Sequence, residues 1–341
     1  MKKSRKRSLA VAERAKSRRY KEEESEHSYD STSSADKNSS LSAEDLSSDN
    51  EDQKTESDAE LSFACYNMDK RDFHSIRQFL QNSFGGGLIP YGKSQLCRID
   101  TQGLTEIIVD ILSEYVGTTA KNTEDDDPLA FTAILPINLD DNLEGVKKYH
   151  IDVLKETIST LRHTARSSKN LSKQKLISFN AILDEKRVAL VIHERFMNLP
   201  AEVAAPLYKQ LIDDLPAAIE EEPHLFDTEY VLIPMPIFRE MKSQLDCPLK
   251  DNNLTKVQED DDEGTEHSSG DYQYYYGECE LLENEAELYW DCRIRTPHET
   301  SDSRRAFGDR GVDPARRIFL LKMNSFRSFV AQCQSILDHN Q

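Results

Sequence analysis

The clearest signal along the chain is Val188–His193, a short apolar run rich in β-branched residues and bounded by Glu185, Lys186 and Arg187. It predicts a buried strand. Pro200 suits the first turn of a helix, where its missing N–H is not needed, and Glu202 adds a favourable charge there. Pro206 cannot sit deep in a regular helix, so the main helix is expected to start near it. Leu207, Leu211 and Leu215 then fall on one side and Lys209, Asp213 and Asp214 on the other.

The same reading predicts strands at Leu61–Tyr66, Leu129–Ile137, Glu229–Phe238 and Arg317–Met323. Helices are expected at Arg71–Phe84, Leu104–Val116, Leu143–Leu161, Lys173–Leu183 and Phe326–Leu337. Tyr272–Leu282 and Glu287–Arg295 alternate like the two arms of a hairpin. Strands interleaved with amphipathic helices give an α/β class, with room for one large or two small domains over residues 61–341 and a polar acidic insert near 251–271.

Charge changes the picture at both ends of that domain. Residues 1–21 hold ten Lys or Arg against Glu13, a local charge of +9. Lys2, Lys3, Arg5, Lys6 and Arg7 read as a nuclear-import signal, which places the protein in the nucleus with shuttling to the cytoplasm allowed. Residues 22–60 reverse to −12 and are crowded with Ser, so residues 1–60 are expected to be a disordered basic-then-acidic tail. The whole chain carries −19, which leaves −16 on residues 61–341. That balance argues against direct nucleic-acid or anionic-membrane binding and for a basic protein partner, with Asp260, Asp261 and Asp262 of the insert as the acidic client contact. No run of 18 apolar residues exists and the N-terminus has no apolar core, so neither a span nor a secretory signal is expected. Six scattered cysteines without a C-x-x-C pair read as reduced thiols.

Candidate chemistry is thin. Residues 87–94, GLIPYGKS, satisfy G-x-x-x-x-G-K-S, and a nucleotide-binding protein is the alternative they raise. A phosphate loop must follow a buried strand and open a helix, whereas here a helix precedes and Cys97 and Ile99 alternate afterwards. His74, His150, His163 and His193 have no thiol or acidic partner at metal-ligand spacing, so no metal and no cofactor is expected. Tyr272, Tyr274, Tyr275 and Tyr276 could stack bases, but the adjoining insert is acidic and core packing explains them better. Arg304, Arg305, Arg310, Arg316 and Arg317, interleaved with Asp302, Asp309 and Asp313, read as a solvated loop. Glu194 and Arg195 are expected to pair near the strand end and pin it, with Asn198 capping the next turn.

One block is distinctive: Glu194-Arg195-Phe196, then Asn198-Leu199-Pro200, then Pro206-Leu207-Tyr208. It resembles the signature of the BCCIP family, and the order of elements over residues 60–341 fits the same family. The resemblance implies a single mixed-sheet domain over residues 61–341, distantly similar to the GNAT acetyltransferase fold, and a non-enzymatic nuclear role. In that role relatives escort a large-subunit ribosomal protein, support nuclear export, and in animals bind recombination and cell-cycle regulators. A GNAT-like acetyltransferase is the rival reading, but fold does not imply function. Phe196–Ala205, the junction where acetyl-CoA would sit, has prolines and no glycine. Glu194, Arg195, Phe196, Asn198, Pro200, Pro206 and Tyr208 are therefore expected to be structural.

Overall fold

In chain order the elements are β1 (Phe63–Asn67), α1 (Phe73–Leu80), β2 (Leu88–Ile89), α2 (Thr101–Glu106), β3 (Thr118–Asn122), β4 (Pro128–Pro136), α3 (Lys148–Arg166), α4 (Lys173–Glu185), β5 (Val188–Arg195), α5 (Ala204–Glu221), α6 (Pro223–Phe226), β6 (Tyr230–Glu240), β7 (Gln273–Tyr274), α7 (Glu278–Glu285), β8 (Leu288–Ile294), β9 (Val312–Lys322) and α8 (Met323–Asn340). They come from a computed structural model that describes residues 63–85, 87–89, 97–122, 126–137, 147–197, 199, 201–240, 272–294 and 312–340. The chain divides into two units, Met1–Asp58 and Ala59–Gln341, and every described residue belongs to the second. The import signal Lys2–Arg7, the insert with Asp260–Asp262, and the signature residues Asn198 and Pro200 lie outside the described residues.

Among the described residues the strands form one mixed sheet in the order β1-β3-β4-β5-β6-β9-β8-β2, with β7 attached to β6. Every pairing is antiparallel except β5 with β6. Nothing in this order conflicts with the distant GNAT likeness. All eight residues of β5 are buried, which is why it reads as a continuous apolar run rather than an alternating one. Helices cover both faces. Phe79 of α1 packs on Phe131 with ring centroids 5.7 Å apart, while the neighbouring Ala130 clusters with Val203 and Leu207 on the α5 side. α3 and α4 close over Trp290, whose indole N–H donates to Thr164 Oγ1 at 3.0 Å and whose ring lies 5.0 Å from Phe179.

The feature that positions the site is a division of the sheet. β5 pairs with β6 only over Val188–Leu190 against Tyr230–Leu232. Beyond Leu190, β5 stays on β4 as far as Arg195, while β6 continues on β9 to Glu240. The two parallel strands part, and the opening between their C-terminal halves must be filled by side chains.

Two expectations are overturned. Tyr272–Leu282 and Glu287–Arg295 do not form a hairpin: Gln273–Tyr274 pairs with β6, Glu278–Glu285 is helical, and β8 pairs with β9. The acids Glu278 and Glu280 in the first turn of α7 favour a helix start there. Arg316 and Arg317 are not in a solvated loop; they are buried within β9, opposite Pro236 and Met235. Arg304, Arg305 and Arg310 lie outside the described residues.

Candidate functional site: ion pairs in the opening of the sheet

Successive residues of a strand project to opposite faces, so Glu194 and Arg195 leave β5 in opposite directions. Arg195 makes a bidentate pair with Glu278 at the start of α7, Nη1 to Oε1 at 2.6 Å and Nη2 to Oε2 at 3.2 Å. Its guanidinium carbon stands 3.9 Å from the centre of the Tyr276 ring. Tyr276 then returns its hydroxyl proton to the Arg195 carbonyl at 2.9 Å, satisfying a backbone acceptor at the point where β5 has left β6.

On the other face Glu194 meets Arg316 of β9, with Nη1 at 2.9 Å from Oε1 and Nη2 at 3.2 Å from Oε2. Arg316 lies over Phe84 at 5.6 Å. Burial raises the Glu194 carboxyl above its usual range, against the pull of Arg316 and a hydrogen bond with Ser83. Next along β9, Arg317 holds Asp291 of β8 with Nε at 2.7 Å and Nη2 at 3.0 Å, and donates from Nη1 to the Tyr274 hydroxyl at 2.6 Å. Tyr274 in turn donates to Glu283 of α7. Three acid–arginine pairs thus tie β5, β8, β9 and α7 together inside the domain.

His193 completes the cluster. Thr132 Oγ1 lies 2.7 Å from its Nδ1, and the ring is 4.5 Å from that of Tyr208. Burial, with Arg195 adding to it, holds the imidazole pKa well below 6.5, so the ring is neutral. Tyr208 is fully buried against Phe326 and Phe329 of α8. Cys279, also buried, has its thiol pushed far up, first by burial and then by Glu278, which keeps it from acting as a thiolate.

The signature block therefore divides cleanly. Glu194, Arg195 and Tyr208 are inside; Pro206 is exposed on the first turn of α5; Phe196 is only partly covered, by Phe79 at 5.1 Å. Glu194 and Arg195 pair across the sheet opening with Arg316 and Glu278, far away in sequence, rather than with local neighbours. Sequence reasoning missed Glu278, Asp291 and the two arginines; the available signal was a charge set inside an apolar strand, as in Trp290-Asp291-Cys292.

Among the described residues neither rival chemistry gains a site. In GLIPYGKS the Leu88 N–H is spent on the Cys97 carbonyl at 2.8 Å, Leu88–Ile89 is a strand, and a helical segment ending at Gly85 precedes it. Residues 90–94, Lys93 and Ser94 included, lie outside the described residues. At the β5-to-α5 junction, Phe196 N–H goes to Leu129 and Leu199 N–H to Phe196, and Glu202 would repel a pyrophosphate. The junction does not fit acetyl-CoA. Among the described residues no group of three or more His, Cys, Asp or Glu could hold a metal, and no helix is long and apolar enough to cross a membrane.

The BCCIP family model matches residues 58–282, about two thirds of the chain and all of the signature. The chain belongs to the BCCIP family. Its relatives include Protein BCP1 of Debaryomyces hansenii, 26% identical over 269 residues and covering 77% of this chain and 81% of that one. Protein bcp1 of Aspergillus fumigatus is 28% identical over 255 residues, covering 73% and 77%. The crystal structure of BCP1 from Saccharomyces cerevisiae aligns with a TM-score of 0.45 at 15% identity, over 86% of this chain and 99% of that chain.

Two predictions follow from the geometry. Arg195→Ala leaves the Glu278 carboxylate buried without its partner and is expected to cost about 3–5 kcal/mol in urea unfolding. Replacing both residues with apolar ones, Arg195→Met with Glu278→Leu, is expected to cost much less than the sum of the single changes, a coupling read from a double-mutant cycle. The second concerns pH. Folded His193 binds a proton more weakly than the unfolded chain, so its contribution to stability is complete above about pH 6.5 and is lost as pH falls below that value. The stability gap between the wild type and His193→Gln should narrow from pH 7 to pH 5; a gap independent of pH would contradict a neutral buried imidazole.

Proposed function

We propose that this member of the BCCIP family is a non-enzymatic nuclear chaperone and adaptor. It shields a basic client, a large-subunit ribosomal protein, during ribosome biogenesis and nuclear export. The observation that carries the reading is the −16 charge of residues 61–341 in a chain whose buried charged groups are engaged with one another. A ribosomal protein away from its RNA exposes lysines and arginines that ordinarily meet phosphates. An acidic body supplies the missing counter-charge, and the import signal at Lys2–Arg7 gives it access to the compartment where that client assembles.

Charge on the insert steers the encounter more than it holds the complex. Changing Asp260, Asp261 and Asp262 to Asn is therefore expected to slow association several-fold while leaving dissociation nearly unchanged. Raising salt should weaken binding in parallel, as the Debye length falls from about 10 Å at 0.1 M to about 3 Å at 1 M. The deciding experiment is affinity purification from nuclear extract. Recovery of one dominant basic ribosomal protein, reduced by the triple change, supports the reading. Recovery of recombination or cell-cycle regulators alone would overturn it in favour of a scaffold.

A further inference from the structure

At the end of the sheet away from the opening, β5 and β6 start side by side and β9 runs directly into α8. A cavity of about 420 Å³ lies there. Small-ligand sites occupy about 300–1,000 Å³, so the volume suits a ligand of modest size. The buried part of its lining is apolar: Leu215 of α5, Phe226 of α6 and Met323 at the start of α8, with half-buried Ile219 beside them.

The rest of the lining is charged, and most of that charge is cancelled in pairs. Lys186 holds Glu229 at 3.1 Å, Lys322 holds Glu287 at 2.7 Å, and Asp227 is held by Arg187 at 3.0 Å. Arg327, half-buried on the same lining, has no ion-pair or hydrogen-bond partner among the described residues. The buried hydroxyl of Thr228, another lining residue, has no hydrogen-bond partner among them either. A guanidinium and a hydroxyl can both donate. With the pairs closed, the surplus at the cavity is one positive charge, on a domain that carries −16.

That combination selects a ligand class. A cation meets the wrong sign. A neutral apolar ligand would leave Arg327 further desolvated and still unpaired, which is unfavourable. A bare phosphate or sulfate would leave the apolar lining uncovered. A carboxylate on an aliphatic body answers both parts: its carbons cover Leu215, Phe226 and Met323, and its oxygens accept from the guanidinium, whose fork matches a carboxylate. We propose that this cavity binds such a carboxylate, with Arg327 holding the acid. A small aliphatic acid and the C-terminal leucine of a partner chain offer the same chemistry. The site is separate from the basic-client reading and does not rest on it.

The test uses the full chain and titration calorimetry with two matched pairs of probes. Octanoate is compared with octanamide, and a short peptide ending in leucine with a free carboxylate is compared with the same peptide amidated. At least one carboxylate is expected to bind, and its amide about tenfold more weakly, the scale of one charged hydrogen bond. Octanoate binding alone points to a small acid and peptide binding alone to a chain terminus; each supports the site. Arg327 has no polar partner in the described fold, so Arg327→Gln should keep the wild-type melting temperature while the carboxylate loses about tenfold in affinity. Asn324→Asp puts a competing carboxylate on an exposed residue of the lining in the first turn of α8, where an acid favours the helix, and should weaken the same probe about threefold. No binding of either carboxylate at millimolar concentration, equal binding of acid and amide, or an affinity unchanged in both variants would overturn the site.

Discussion

The bidentate contact between Arg195 and Glu278 is the constraint on which the rest of this structure depends. β5 and β6 part after three paired residues, and an opening in a sheet exposes backbone acceptors and strand faces that must be satisfied inside the protein. The chain fills it with charge. Arg195, through Glu278 and the Tyr276 ring, fixes where α7 begins; Glu194, through Arg316, fixes where β9 runs; Arg317 and Asp291 extend the same tie to β8. Buried ion pairs are poor sources of net stability because desolvation offsets most of the attraction. Their value here is register. A wrong pairing would leave a carboxylate or a guanidinium alone in the interior, at a cost of several kcal/mol, so one arrangement of the C-terminal half is selected.

This division of labour gives the most distinctive sequence in the chain, a strand-and-helix junction, a structural role. At the junction Glu194 is held by Arg316, Arg195 by Glu278, and His193 Nδ1 by the Thr132 hydroxyl. What the junction leaves in solvent is apolar, Phe196 and Met197.

Much of the fold was legible from periodicity. β4, β5, β6, the C-terminal part of β9 and the helices α3, α4, α5 and α8 follow from apolar runs and 3.6-residue repeats. The failures have physical reasons. β3, Thr118–Asn122, is buried yet reads TTAKN, because Lys121 brings its charge inside to meet Asp72. α1 and α2 were legible too, each found with a π-helical continuation, Gln81–Gly85 and Ile107–Leu112. Arg316 and Arg317 looked solvated because their partners are long-range, with Glu194 lying 122 residues from Arg316. A charge inside a strand declares a need for a counter-charge but not its address; only the folded topology supplies that.

Residue-resolved amide hydrogen exchange of the wild type and Glu278→Gln tests the central claim, that paired charges hold the opening of the sheet closed. If they do, weakening this pair should lower protection in Cys279–Glu285 of α7 and Val191–Arg195 of β5, where the strand has left β6. Val188–Leu190 and their partners Tyr230–Leu232 should keep wild-type protection. An equal loss across β5, β6 and β9, or no loss in α7, would contradict it.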